Sequence, residues 1–298
     1  MNKGILYAIG AYIMWGLLPM YWKLLDHVSS FEILLHRVIW SFFLLAGIIF
    51  VRNRWERIRE AVYNWRVLRV YLISATLIGL NWGLYVWAVN AGFIVETSLG
   101  YFINPLVSVL LGVIILGERL RPMKWIPIGL AAGGVVYLTI SYGALPWIAL
   151  SLAFTFGLYG LAKKTAPLES LYGLSLEMSI LLLPALAALA YFVVEERAAF
   201  LHADLTSNLM LLGTGVVSTV PLLMFAIAAR RIPLSQVGLL QYIAPTIAFF
   251  LGVFVYGESF SEEQMVGFSL VWLALILYWG EGWWVKRKGT TMTAAKPK

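Results

Sequence analysis

Long apolar runs alternate with short polar or basic stretches along the whole chain. Ten such runs lie between charged or turn-forming clusters, at about 4–22, 32–51, 70–90, 97–117, 124–141, 144–162, 172–193, 207–229, 235–256 and 265–285. Each is close to the roughly 20 residues that an α-helix needs to cross a hydrocarbon core of about 30 Å. The pattern therefore predicts an all-α polytopic membrane protein with ten transmembrane helices.

The longest polar connection, 52–69, has a pattern of its own. Trp55, Ile58, Val62 and Trp65 recur at helical spacing among arginines. This spacing is typical of an amphipathic helix that lies on the membrane surface. An irregular basic loop is the alternative, and the sequence does not choose between the two.

Composition agrees with a membrane protein and removes several classes of site. The chain is 61% hydrophobic and 12% charged, against roughly 25% charged residues in a soluble domain. It has no cysteine, so it has no disulfide, CxxC redox motif or thiolate metal site. Its three histidines have no metal-ligand spacing. We therefore expect neither a metal nor any other cofactor.

The basic residues are distributed unevenly over the connections. If the N-terminus is cytoplasmic, 19 of the 22 lysines and arginines fall inside, among them Lys163 and Lys164 after the sixth span. Lys23 and Arg197 fall outside, and Arg37 lies within a span. The positive-inside rule then predicts that both termini are cytoplasmic and that 286–298 is a basic cytoplasmic tail. The net charge of +7 follows from this topology, so we expect no nucleic-acid partner.

The chain repeats itself at an offset of 140 residues. The segment NPLVSVLLGVIILGE at 104–118 is matched by APTIAFFLGVFVYGE at 244–258. This divides the chain into two five-helix halves, 4–141 and 144–285. Because five is odd, the second half enters the membrane from the opposite side, which is the inverted repeat typical of secondary transporters. A duplicated membrane enzyme or scaffold is the alternative.

Polar residues form one stripe on each of the matched spans four and nine. Tyr101, Asn104, Pro105 and Ser108 fall at i, i+3, i+4 and i+7. Pro105 removes a backbone donor and frees a carbonyl near Tyr101. Gln241 and Pro245 occupy the equivalent stripe, beside small residues. We expect the two stripes to line a central cavity, with interhelical packing as the alternative.

Spans one and three carry aromatic groups that suit an amphipathic or aromatic solute. Tyr12, Trp15 and Pro19 share one face of span one, and Asn81 and Tyr85 lie one turn apart in span three. Tryptophans also populate interfacial belts. The position of Trp15 near the middle of its span makes a belt role less suitable for it, whereas Trp22 fits a belt.

Ionisable residues within spans are costly, by roughly 2.5–3.5 kcal/mol at the bilayer centre, and need a partner or water. Arg37 and Glu177 occupy matched positions, but they differ in depth by roughly 15 Å. We therefore expect separate roles, with Arg37 near the outer mouth beside Glu32 or Glu96, or snorkelling to the headgroups, and Glu177 near the inner mouth. Glu177, Glu96 and His36 are the titratable candidates for proton coupling.

Smaller features concern packing. Glu118 and Glu258 are expected to shape helix ends. Gly79 to Gly83 and Gly129 to Gly133 have GxxxG spacing, which predicts close helix packing.

Other function classes fit less well. An intramembrane aspartyl protease needs two aspartates in spans, but Asp26 and Asp204 lie in connections, and a GxSxG motif is absent. A nucleotide-binding P-loop is also absent. We expect a secondary transporter and no enzyme, with an intramembrane enzyme or a channel-like facilitator without gradient coupling as the alternatives.

Four stretches resemble the RarD-type members of the EamA-like branch of the drug/metabolite transporter superfamily. They are HRVIWSFF (36–43), NWGLYVWAVN (81–90), LGYFINPLVSVLLGVIILGERL (99–120) and QYIAPTIAFFLGVFVYGE (241–258). The resemblance covers about 4–285. It implies two inverted EamA repeats in the bacterial inner membrane and transport, often export, of small organic solutes.

The predicted site residues can now be collected. The solute-binding set is Tyr12, Trp15, Asn81, Tyr85, Tyr101, Asn104, Ser108, Gln241 and Tyr242. The helix-breaking or gating set is Pro19, Pro105 and Pro245. The charge or coupling set is Arg37, Glu177, His36 and Glu96. The expected partners are a small-molecule solute such as an amino acid or drug-like compound, the lipid bilayer and a proton as coupling ion, and the oligomeric state is left open.

Overall fold

The computed structural model describes residues 2–257 and 262–294, and these residues form helices joined by short connections. The helices are α1 (Lys3–Lys23), α2 (Ser30–Val51), α3 (Trp55–Tyr63), α4 (Trp65–Asn90), α5 (Ile94–Ile114), α6 (Trp125–Tyr142), α7 (Trp147–Thr165), α8 (Ser170–Val194), α9 (Leu205–Arg231), α10 (Leu234–Gln241), α11 (Ile243–Phe250) and α12 (Glu262–Ala294). The all-α class is confirmed, and α12 includes most of the predicted basic tail.

Each of the ten predicted spans contains a helix, and within residues 2–257 and 262–294 eight helical segments are long and apolar enough to cross a membrane. The sixth predicted span, α7, is not among the eight, and it carries Lys163 and Lys164 in its last turn. The tenth predicted span, α12, is also not among them, because its apolar part, Met265–Tyr278, is shorter. Ten crossings therefore stay a prediction. Many large apolar side chains on these helices are exposed, which suits contact with lipid.

The basic connection contains a helix. The nine-residue α3 buries Ala61 and leaves Trp55 and Val62 exposed. Asn64 then caps α4 by accepting from the backbone N–H groups of Arg66 and Val67. The helical alternative is confirmed over Trp55–Tyr63, and its location on a membrane surface stays a prediction.

Pairs of helices from the two halves pack in a related way when the halves are exchanged. The first span of each half contacts the third span of the other half, in the pairs α1 with α9 and α7 with α4. The first span of each half also contacts the fourth span of the other half, in the pairs α7 with α5 and α1 with α11. The last two contacts use nearly equivalent residues. A Cβ on Gly157 would lie 2.8 Å from Val107, and a Cβ on Gly16, which is 141 residues before Gly157, would lie 2.7 Å from Ile247. Val107 and Ile247 are 140 residues apart, so the sequence repeat recurs as a packing repeat.

The matched spans four and nine differ in continuity. Helix α5 runs through Pro105, whereas the second copy divides at Tyr242 into α10 and α11 and ends in a π-helical turn at Leu251–Val255. The copies cross closely, since a Cβ on Gly238 would lie 2.7 Å from the Pro105 carbonyl oxygen. Both end on a glycine with left-handed φ, 65° at Gly117 and 66° at Gly257.

Two packing predictions have different outcomes. Glu118 does shape a helix end, because its carboxylate accepts from the backbone N–H groups of Leu234 and Ser235 at the start of α10. Glu258 lies outside the described residues. The GxxxG prediction is wrong for Gly83, Gly129 and Gly133, around which a Cβ would meet nothing within 4 Å.

In the second GxxxG pair, the neighbouring residue makes the close contact instead. A Cβ on Gly134 would lie 3.4 Å from the carbonyl oxygen of Gly267 in α12. The spacing of two glycines gives a helix face with room for a neighbour, but the tertiary arrangement decides which face the neighbour takes.

Candidate solute-binding site

Arg37 lies in α2 without a carboxylate partner among the described residues. Its Nε donates to the Ser218 hydroxyl of α9 at 2.9 Å. The guanidinium carbon lies 4.3 Å from the ring centroid of Trp82 and 5.3 Å from that of Trp22. Aromatic faces attract a cation through their quadrupole, so two rings and one hydroxyl hold this charge inside the bundle.

The ends of the bundle are named here from the predicted topology. The outer end carries the connections at 24–29, 91–93, 143–146 and 195–204, and the inner end carries those at 52–54, 115–121, 166–169 and 232–233. Arg37 is the eighth residue of α2, which begins at the outer end, so it lies roughly 10 Å along the helix. The expected pairing of Arg37 with Glu32 or Glu96 is wrong, because both carboxylates have other partners.

Two tyrosines on neighbouring helices lie within electrostatic range of this arginine. The rings of Tyr85 in α4 and Tyr101 in α5 are 6.0 Å apart and meet edge to face. Both hydroxyls are near enough to Arg37 to interact with its charge. Tyr101 keeps 43% of its surface exposed. Arg37, Trp82, Tyr85 and Tyr101 are called the arginine site below.

Two buried amides on α5 and α10 have a side-chain oxygen without a hydrogen-bond partner among the described residues. Asn104 follows Tyr101 by one turn of α5, and Gln241 ends α10, which packs across α5. Their side-chain oxygens are enclosed and unpaired among the described residues. An unpaired buried polar group costs about 1–3 kcal/mol, so water or a solute is needed to satisfy them.

Trp15 belongs to an aromatic cluster deeper in the bundle. Its ring centroid lies 5.6 Å from that of Tyr12, 5.8 Å from Phe156 and 5.7 Å from Phe225. The cluster joins α1, α7 and α9, and Pro19 lies one turn further along α1. Trp15 is partly buried, so it forms an apolar wall with no polar contact of its own.

Four residues of the predicted solute-binding set have structural contacts instead. Tyr12 and Tyr242 are fully buried, and their hydroxyls donate to the carbonyl oxygens of Val237 and Phe102 at 3.2 and 3.0 Å. Asn81 donates to Leu152 O and Thr155 Oγ1, both at 2.9 Å. Ser108 is buried at the crossing of α5 with Gly238. All four side chains are buried in this conformation, and their binding to a solute stays a prediction.

Glu177 forms a buried ion pair at the inner end of the bundle. Lys163 Nζ lies 2.8 and 2.7 Å from its two carboxylate oxygens. The hydroxyls of Ser74 and Tyr159 also donate to it, at 2.6 and 3.1 Å. These four residues, called the inner cluster below, join α4, α7 and α8, and the carboxylate has a donor on each oxygen.

The inner cluster corrects one part of the charge assignment. Lys163 belongs to α7 and its side chain is 3% exposed, so it is not a charge of an inner loop. The expected separation of Arg37 from Glu177 agrees with the structure, since each has its own partners. The connection 166–169 is short, so the end of α7 and the start of α8 lie at the same depth in the bundle. Because Lys163 and Glu177 lie near these two helix ends, the short connection could have indicated their pairing from the sequence.

His36 is enclosed near the outer end of the bundle. Its Nδ1 accepts a hydrogen bond from Trp40 Nε1 at 2.9 Å, which requires an unprotonated nitrogen. Its Nε2 lies 3.7 Å from Glu32. Glu32 itself accepts from the backbone N–H groups of Ala199 and Phe200. Proton transfer through His36 would first have to break the bond to Trp40.

Glu96 connects the two halves at the outer end. Its carboxylate accepts from the Tyr142 hydroxyl at 2.7 Å and from the backbone N–H of Ile148, near the start of α7, at 3.1 Å. A carboxylate at a helix N-terminus is stabilised by the unpaired N–H groups there. Of the four charge or coupling candidates, Arg37 is therefore the one whose charge has no ionic or helix-capping partner in the described part of the chain.

Sequence reasoning missed Ser218 and the role of Trp22. Ser218 carries no pattern that marks it, because its contact with Arg37 joins two distant helices. Trp22 fits an interfacial belt by position, yet its ring faces the Arg37 guanidinium. Within the described part of the chain, no group of three or more acidic or histidine side chains is arranged to hold a metal.

Comparisons with known proteins agree on the family. The model of the EamA-like transporter family matches residues 2–140 and again 144–280. Protein RarD from Streptomyces exfoliatus is 45% identical over 99% of this chain and 94% of its own. The uncharacterized transporter YojE from Bacillus subtilis is 45% identical over 93% of each chain.

A solved crystal structure extends the comparison to the fold. It superposes with a TM-score of 0.68 over 92% of this chain and 96% of its own, at 18% identity, which supports a shared fold alone. Taken with the doubled family match and the full-length relatives, these likenesses show that this chain is a multi-pass membrane protein that belongs to the EamA-like transporter family, in its RarD-type branch.

Proposed function

We propose that this protein is a secondary transporter that carries small organic solutes across the bacterial inner membrane. The two five-helix halves, 4–141 and 144–285, would run in opposite directions through the bilayer, with both termini cytoplasmic. The solute would bind between them and reach either side by alternating access. Export is the proposed direction, and amino acids and drug-like compounds are the proposed solutes.

The single observation that carries this proposal is the set of unsatisfied polar groups inside the bundle. Arg37 has no carboxylate partner, and Asn104 and Gln241 have no hydrogen-bond partner among the described residues. Such groups are expensive in a membrane and mark solute or ion pathways. They lie on α2, α5 and α10, which come from both halves, as a carrier with a central site requires.

Contacts between the halves at the inner end support a closed inner side in this conformation. Ser74 donates to Glu177, the backbone N–H of Leu168 donates to the Tyr71 hydroxyl at 2.9 Å, and Glu118 caps α10. Each of these contacts joins the first half to the second. Opening toward the cytoplasm would have to separate them. Opening toward the outside would have to separate Glu96 from Ile148 and Glu32 from the backbone of Ala199 and Phe200.

Coupling to a proton gradient is part of the proposal and needs a titratable group that becomes free. In this conformation, Glu177, Glu96 and Glu32 all accept hydrogen bonds from protein donors. For each of them, at least one of these donors comes from the other half of the chain. Protonation would then be linked to the change of access, which is the requirement for coupled transport.

Reconstitution into proteoliposomes tests the proposal. Liposomes loaded with one unlabelled amino acid or drug-like solute would be placed in a trace of the same solute in labelled form, with and without an imposed pH gradient. A carrier gives saturable accumulation of label by counterflow. Flux that rises linearly with concentration and shows no counterflow indicates a channel-like facilitator, and no flux of any tested solute contradicts the proposal.

A further inference from the structure

The guanidinium of Arg37 presents unused hydrogen-bond donors. Its Nε is bonded to Ser218, but neither terminal nitrogen has a partner among the described residues. These nitrogens are also not among the fully enclosed unpaired atoms. Two parallel N–H groups on one edge of a planar fork match the two oxygens of a carboxylate.

The surroundings of Arg37 hold this fork in one orientation. Ser218 is bonded to the Nε side, and the Trp82 ring lies 4.3 Å from the guanidinium carbon. The hydroxyls of Tyr85 and Tyr101 interact with the same charge from the neighbouring helices. A preorganised donor pair binds an anion with little further ordering cost.

Glu32, Glu96 and Glu177 have partners other than Arg37. Glu32 accepts from two backbone N–H groups, Glu96 caps α7 and Glu177 pairs with Lys163. The described part of the chain therefore leaves Arg37 with an uncompensated charge inside the bundle. A bound solute that carries one negative charge would neutralise it.

We propose that the solute is an organic monocarboxylate whose carboxylate binds the terminal nitrogens of Arg37. This inference rests on the proposed transport function and names its substrate class. The Tyr85 and Tyr101 hydroxyls donate further hydrogen bonds to the carboxylate. The apolar body of the solute packs on the aromatic walls, and its remaining polar groups reach the free amides of Asn104 and Gln241.

A phosphate ester or a dicarboxylate fits this site less well. Arg37 is the only cation with contacts at the arginine site among the described residues, while the neighbouring Lys23 lies over Tyr256. A dianion would leave one negative charge unpaired in a medium of low dielectric constant, which is costly. Inorganic phosphate therefore serves as a negative control in the test.

The test compares acids with their uncharged amides of the same shape. The probes are benzoate and benzamide, 3-phenylpropionate and 3-phenylpropionamide, and hexanoate and hexanamide. Binding to the purified full-length protein in lipid nanodiscs is followed by tryptophan fluorescence, because Trp22 and Trp82 flank the arginine. We expect at least one acid to bind about tenfold or more tightly than its amide, which is the size expected for a hydrogen-bonded charge pair.

Variants then assign this preference to the arginine. Arg37→Gln should bind each acid and its amide with equal affinity. Arg37→Lys should keep part of the preference for the acid, because lysine keeps the charge but loses the planar pair of N–H donors. The matched control is Arg197→Gln, which removes one positive charge from an exposed outer connection and should keep the full ratio. Monodispersity in gel filtration and the melting temperature confirm that each variant is folded.

The outcomes separate this inference from the transport proposal. Equal binding of every acid and its amide, or a ratio that Arg37→Gln leaves unchanged, overturns the carboxylate assignment. Counterflow of a neutral solute that does not respond to Arg37→Gln overturns it as well, while the carrier stands. An Arg37-dependent acid preference without counterflow supports the carboxylate site and contradicts the carrier.

Discussion

Two charged regions inside the same bundle are satisfied in opposite ways. In the inner cluster, Glu177 and Lys163 neutralise each other, and two hydroxyl donors complete the carboxylate. In the arginine site, Arg37 has aromatic rings and one hydroxyl, but no counter-charge among the described residues. A charge that is fully paired holds helices together, whereas a charge that is left open is available to a ligand.

The largest expected effect is on the inner cluster. Glu177→Gln leaves the buried Lys163 without a counter-charge, and breaking a buried pair in this way costs about 3–5 kcal/mol of stability. The melting temperature in detergent, measured by circular dichroism, should therefore fall by several degrees or more. The double variant Lys163→Met/Glu177→Gln removes both charges and keeps an acceptor for Ser74 and Tyr159, so it should recover most of the loss.

That double variant is also the control for the cause of the loss. If it melts as low as Glu177→Gln, the destabilisation does not come from an uncompensated lysine. The inner cluster would then be held by its hydroxyl hydrogen bonds, and the contrast with the arginine site would weaken.

A smaller effect compares two buried amides that differ in their partners. Asn81 and Asn104 are 9% and 7% exposed, yet only Asn81 has hydrogen bonds. Asn81→Ala should cost about 1–2 kcal/mol, since it removes two bonds. Asn104→Ala should leave the melting temperature nearly unchanged but lower the apparent affinity for the solute in counterflow by about three- to tenfold.

The reverse result would exchange the two assignments. A large loss of stability in Asn104→Ala with normal solute affinity would make Asn104 a packing residue, as the alternative interpretation of the span-four stripe has it.

The smallest effect concerns the tyrosines. Tyr242→Phe removes one hydroxyl that donates to the Phe102 carbonyl oxygen, so it should cost about 1 kcal/mol and leave solute affinity unchanged. Tyr101→Phe removes a hydroxyl at the arginine site and should weaken solute binding by a few fold without a measurable loss of stability. Melting curves and counterflow on the two variants measure both effects, and equal behaviour of the two would remove the distinction between them.

The sequence was sufficient for the helices because lipid imposes a strong and local requirement. A run of about 20 apolar residues has few other uses, so α1, α2 and α8 could be located to within a few residues. The division at Tyr242 was not predicted, although Pro245 marked the region. Pro245 removes one backbone donor, but contacts with α1 and α5 decide where the helix actually breaks.

The site was harder to predict because its residues come together only through tertiary packing. The helical spacing of polar residues in span four identified Tyr101 and Asn104 as candidates. The high cost of a charge within a span identified Arg37. The same rules also selected Tyr12 and Tyr242, whose hydroxyls bond to backbone carbonyl oxygens. The position of a residue on a helix face does not reveal whether a neighbouring helix supplies its hydrogen-bond partner. For Ser218 no sequence pattern marked the contact with Arg37, whereas the short connection 166–169 was a usable signal for the Lys163–Glu177 pair.

The most direct test of this account is the melting temperature of Arg37→Gln, measured beside the wild type and Glu177→Gln under the same conditions. Because Arg37 has no ionic partner among the residues that the structure describes, we predict that the variant melts at or above the wild-type temperature, while Glu177→Gln melts well below it. If the melting temperature of Arg37→Gln fell as far as that of Glu177→Gln, Arg37 would be a residue that holds the bundle together. The proposal that the arginine site is available to a solute would then be contradicted.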